Sequence, residues 1–108
     1  MENTFHFAND MATRQHIIDN IIGGAGNVIL TNVIDRGHAN GPERFELTDN
    51  GIIFVYNDWT DKRITILFPR VGQLYSRFGD KFRTLSATQQ EAVKAKCIEW
   101  QSRGFNNA

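Results

Sequence analysis

The stretch Arg44–Phe68, RFELTDNGIIFVYNDWTDKRITILF, decides how this chain folds. It contains three short runs, RFELT, GIIFVYN and KRITILF, rich in β-branched and aromatic residues. Two clusters of turn formers separate them, Asp49-Asn50-Gly51 and Asp58-Trp59-Thr60-Asp61. Short runs joined by such tight connections predict an antiparallel meander. Arg44 to Thr48 alternates, so Arg44, Glu46 and Thr48 share one face while Phe45 and Leu47 share the other. Ile52 to Tyr56 does not alternate, which fits a central strand covered on both faces. One face of the sheet is expected to be wet, with the polar triplet displayed on it. The D-N-G turn admits either Asp49-Asn50 or Asn50-Gly51 as its central pair, and a slip of one residue reverses the faces.

Working outward, VILTNVID (Val28–Asp35) is a further strand, bounded by Gly26 and Gly37. Before it, Asn9 or Asp10 can cap a helix of about 11–22 carrying Met11, Ile17, Ile18, Ile21 and Ile22, stopped by Gly23-Gly24. After the meander, Pro69 ends the last strand and a short helix of about 71–78 runs up to Gly79. Ser86 and Gln89 form a capping box for a final helix of about 87–103, with Val93, Cys97 and Trp100 on one stripe. Helix, four strands, helix, helix is an α+β order with an antiparallel sheet, read here as one domain over residues 1–108.

Composition narrows the function classes. No apolar run approaches the roughly 20 residues of a membrane span, and MENTFHFAND has neither a basic nor an apolar leader segment. The expectation is a cytoplasmic protein with no membrane partner. The single cysteine, Cys97, can form no internal disulfide, and its place on a helix stripe reads as a small buried hydrophobe. Twelve basic and twelve acidic residues cancel, but residues 1–60 carry three against eight, a net −5, leaving +5 for residues 61–108. Within that half, Arg70, Arg77, Lys81 and Arg83 alternate with Tyr75, Phe78 and Phe82, a pattern that suits a phosphate-and-base surface or an ordinary amphipathic helix.

No phosphate-binding loop, dinucleotide fingerprint, zinc-protease motif or calcium loop occurs. His6, His16 and His38 are too scattered to make a metal site, and no cofactor is expected. What remains is acid, base and arginine. Metal-free RNA cleavage needs a base, an acid and cations to hold developing phosphorane charge. His38, Glu43 and Glu46 are the candidates for proton transfer. Arg44, Arg70 and Arg77 are the candidates for charge, Trp59 and Tyr75 for base stacking, and Gln73 joins them as a binding residue. Gly41 and Pro42 read as turn geometry, and the 35–42 loop can fold toward the sheet or away from it.

The residues Gly37-His38, Asn40-Gly41, Glu43, Thr48, Gly51, Asn57, Thr60, Ile64-Thr65, Pro69, Gln73 and Arg77 form a pattern over about 28–78. On these the chain resembles a group of small phage and prophage proteins of Gram-positive bacteria. More broadly it is similar in layout to the barnase, colicin and RelE type of small ribonuclease. The resemblance implies a protein working in the host bacterial cytoplasm, on RNA or on host nucleic-acid machinery, with ribonuclease-like chemistry. That pattern has a histidine two residues after the glutamate, where this chain has Phe45. The departure opens the alternative of a non-catalytic, protein-binding inhibitor of a host defence or toxin system. RNA or a host protein is therefore the expected partner, for a monomer or a small homo-oligomer held through an edge strand.

Overall fold

The computed structural model describes residues 10–106. Asp10 opens the first helix as its N-cap, its Oδ1 accepting from the Thr13 amide at 2.7 Å and its Oδ2 from the Thr13 hydroxyl at 2.9 Å. These bonds hold the Asp10 carboxyl below its ordinary pKa. Asn9, the alternative cap, and His6 lie outside the described residues. Helix α1 is Met11–Asn20, shorter than the expected 11–22. The amides of Ile21 and Ile22 both turn back to the Ile17 carbonyl, and Gly23 and Gly24 then take φ of +83° and +110°. Ile17 and Ile18 are fully buried. Their burial contributes roughly 3–6 kcal/mol together, so docking rather than propensity fixes this short helix.

Four strands follow: β1 (Val28–Ile34), β2 (Glu43–Thr48), β3 (Ile53–Asn57) and β4 (Arg63–Leu67). They pair antiparallel in the order β1-β2-β3-β4, the meander that the alternation predicts. Helix α2 (Val71–Phe78), a 3₁₀ segment (Gly79–Thr84) and helix α3 (Ala87–Ser102) come after the sheet. Ser86 and Gln89 cap α3 reciprocally, the Gln89 amide donating to Ser86 Oγ at 3.1 Å and the Ser86 amide to Gln89 Oε1 at 3.4 Å.

The sheet carries a core on each face. Phe45, Leu47, Ile53 and Val55 pack against Leu74, Phe78, Phe82, Val93 and Cys97 of the helical layer. Ile52, Phe54, Ile66 and Phe68 pack on the opposite side against Ile17 and Ile18 of α1, with Trp100 and Phe105. This corrects the expectation of a wet face. Because α1 sits against β4, the described residues leave the β1–β2 half of its face open, where Thr31 and Val33 are exposed. Thr48 is not displayed at all; it is fully buried, its Oγ1 accepting from the amides of Asn50 at 3.3 Å and Ile52 at 3.2 Å.

The D-N-G turn takes neither two-residue form. The Thr48 amide donates to the Ile52 carbonyl at 2.8 Å and the Gly51 amide to the Thr48 carbonyl at 3.1 Å, which makes a three-residue loop with Gly51 at φ +77°. The faces of β2 stay as the alternation predicts. At the other end, Asn57 and Lys62 close a four-residue loop through the Asn57 amide and Lys62 carbonyl at 2.9 Å. Beyond it Tyr56 pairs with Arg63 while Val55 pairs with Thr65, so Ile64 is the extra residue of a bulge.

Candidate binding site at the Trp59 hairpin

Asn57 organises the β3–β4 hairpin. Its Oδ1 accepts from the amides of Trp59 at 2.8 Å and Thr60 at 3.0 Å, an Asx turn, while its Nδ2 donates to the Asn40 carbonyl at 2.8 Å. The Asp58 amide donates to the Pro42 carbonyl at 2.9 Å. The 35–42 loop is thereby zipped to the hairpin and folds over the end of the sheet. Gly41 is buried at φ +102°, and a Cβ there would stand 2.4 Å from Trp59 Cδ2. The indole lies directly on the Gly41 backbone, yet Trp59 remains 68% exposed.

Beside it is a cleft of about 430 Å³ lined by His38, Asn40, Gly41, Glu43, Asn57, Thr60 and Ile64. His38 and Glu43 therefore meet in one concavity. Glu43 also receives Arg36 Nη1 at 3.5 Å, an exposed pair. Ile64, lifted by the bulge, is 45% exposed at the cleft wall. Sequence reading singled out neither Arg36, Ile64 nor Asn57 as site residues. The Asn-Asp turn signal at 57–58 was the available pointer to Asn57; the bulge that turns Ile64 has no sequence mark.

The other candidates lie elsewhere. Glu46 and Arg44 occupy the opposite sheet face, as the alternation of β2 requires. Arg44 Nε donates to Glu46 Oε2 at 3.1 Å, Nη1 to Asp58 Oδ1 at 3.1 Å, and Nη2 to Asp61 Oδ1. Its guanidinium also sits 4.7 Å from the centre of the Tyr56 ring. These carboxylates, Asp61 foremost, hold the Arg44 pKa well above its ordinary value. Three anions around one cation leave no positive charge to offer a phosphate.

None of Arg70, Gln73, Tyr75 and Arg77 lines the cleft. Arg70 is exposed at the start of α2, where its amide donates to Gln73 Oε1 at 3.0 Å. Tyr75 packs edge-on against Phe82 at 5.2 Å with Arg83 over its ring at 5.0 Å, so it offers little free face for stacking. Arg77 lies 5.6 Å from the Phe45 ring centre, its Nη1 on Ser76 Oγ at 3.1 Å and its Nε buried without a partner. Cys97 is fully buried, and desolvation pushes its thiol up to about 12.

Among the described residues no group of three His, Cys, Asp or Glu side chains is arranged to hold a metal ion, and no helix is long and apolar enough to cross a membrane. Compared with protein families, curated proteins and solved structures, the chain matches none.

Proposed function

We propose that the chain is a non-catalytic protein-binding factor that docks through its Trp59 end. The observation that carries this reading is the indole itself: Trp59 is mostly in water yet held flat on Gly41. A tryptophan fixed before binding is the kind of anchor that dominates protein interfaces, because it buries a large area at little entropic cost. Ile64 and the cleft wall supply an apolar neighbour, and His38, Asn40 and the Arg36–Glu43 pair make a polar rim. On the resemblance to phage proteins, the partner is a host protein, and inhibition of a defence or toxin system is the role that fits. The experiment is capture of a stoichiometric protein partner from bacterial lysate by the wild type and by Trp59→Ala. Loss of that partner from a folded Trp59→Ala supports the reading; equal capture by both removes it.

A second reading rests on the meeting of His38 and Glu43 in one cleft with Arg36 alongside. Glu43 as base, His38 as acid and Arg36 as the cation is a set that metal-independent RNA cleavage requires. Cleavage of RNA at low salt that disappears in both His38→Ala and Glu43→Gln would favour it over the docking reading. No cleavage or binding at low salt, where phosphate contacts are strongest, would remove it.

A further inference from the structure

The hairpin carrying Trp59 is gripped from both sides of the sheet. On one side Gly41 and Asn40 of the 35–42 loop hold the indole and Asn57. On the other, Arg44 reaches the two carboxylates that bracket Trp59-Thr60, Asp58 and Asp61, while Glu46 on its own strand fixes the guanidinium from behind. Asp61 stands at φ +62°, the one left-handed non-glycine residue among those described. Aspartate is among the few side chains that take this conformation readily; here the Asp61 amide donates to the Asn57 carbonyl at 2.8 Å, and the Arg44 ion pair holds the carboxylate end.

We infer that Arg44 is a positioning residue: it pre-organises Trp59 by tethering both ends of its loop, and does not itself contact the partner. The docking role of Trp59 proposed above gives this its purpose, although the positioning stands on geometry alone. The Asn57 and Pro42 bonds fix the start of the tip; without Arg44 its far end, at Asp61, loses its side-chain tether, and docking would then cost the entropy of ordering it. An arginine is needed because a planar fork addresses three carboxylates from three directions, whereas a lysine is a single point charge. Removing Arg44 also leaves Glu46, Asp58 and Asp61 facing one another, so the loop loses its tether and gains repulsion.

The chain's two tryptophans make the test internally controlled. Trp100 is 3% exposed and its Nε1 donates to the Asn50 carbonyl at 2.8 Å, in the turn at the opposite end of β2 from Arg44. In ¹⁵N relaxation of the indole groups, Arg44→Met is expected to lower the Trp59 order parameter from about 0.85 to below about 0.6, with Trp100 unchanged. Arg44→Lys should fall between. A Trp59 indole as rigid in Arg44→Met as in the wild type overturns the inference. Should Arg44→Met fail to fold, the double variant Asp58→Ala/Asp61→Ala removes the same tethers, since alanine leaves the guanidinium no acceptor, and a rigid Trp59 there overturns it equally. A loosened Trp59 with undiminished partner capture supports the positioning and instead overturns the docking role.

Discussion

The β2–β3 and β3–β4 hairpins of the meander are built from similar turn formers and end in opposite circumstances. At the β2–β3 turn Asp49 and Asn50 are tied to the rest of the protein. The Asn50 carbonyl accepts from Trp100, Asn50 Nδ2 donates to the Gly24 carbonyl at 2.8 Å, and Asp49 Oδ1 accepts from the Asn27 amide at 3.0 Å. Gly51 lies against α3, where a Cβ on it would stand 3.1 Å from Lys96 Cβ. At the β3–β4 turn the backbone is held as firmly, but no described residue covers Trp59, which faces water. Order without cover is the difference. The first turn is ordered because the core surrounds it; the second is ordered by its own hydrogen bonds and by Arg44, and the proposed docking role rests on that arrangement.

Four substitutions would break or sharpen that contrast. Trp100→Ala should destabilise the fold by about 3–5 kcal/mol in urea unfolding, because it empties the space beneath the first turn. Gly51→Ala should cost about 2 kcal/mol, since φ +77° opposes a side chain and the neighbouring α3 backbone cannot move aside. Gly41→Ala should cost about 1 kcal/mol: its φ is as strained, but the indole it strikes can swing into water, so Trp59 fluorescence should redden more than stability falls. Trp59→Ala should change stability by less than about 0.5 kcal/mol while abolishing partner capture. A Trp59→Ala cost near that of Trp100→Ala would erase the contrast between the two ends.

Alkaline titration probes the covered end separately. The ordinary Cys97 thiol titrates near 9.0, and in the folded chain it is pushed up to about 12. Below pH 9 both states keep the proton and stability is unaffected. Above it the unfolded chain ionises first, so stability should fall as pH rises from 9 toward 12. A thiol reagent at pH 8 should therefore label Cys97 only on unfolding, and rapid labelling of the native protein would show that α3 does not seal that turn.

The order of elements, the cap of α3, the bounds of α2 and the faces of β2 were all legible in the chain, and the cap of α1 was narrowed to Asn9 or Asp10. Each is local: a hydroxyl or carboxylate three residues from an amide, or a side chain pointing opposite to its neighbour. Cys97 as a buried hydrophobe and Ile52–Tyr56 as a doubly covered strand were legible too, because burial leaves an apolar mark. What could not be read was which groups would meet across the sheet. Arg44 and Glu43 are adjacent in the chain and lie on opposite faces; Arg44 and Asp61 are far apart in sequence and form an ion pair.

By itself, then, the sequence determined an antiparallel meander between helices and named Trp59, His38, Glu43 and Arg44 as side chains of interest. Only the tertiary structure decided that His38 and Glu43 share a cleft, that Arg44 is spent on three carboxylates, and that Gly41 presents Trp59 to water. The physical reason is that periodicity reports direction relative to one strand, whereas partnership depends on where a loop lands, and a loop's landing is set by a handful of long-range hydrogen bonds, such as that from Asn57 Nδ2 to the Asn40 carbonyl, that no local pattern encodes.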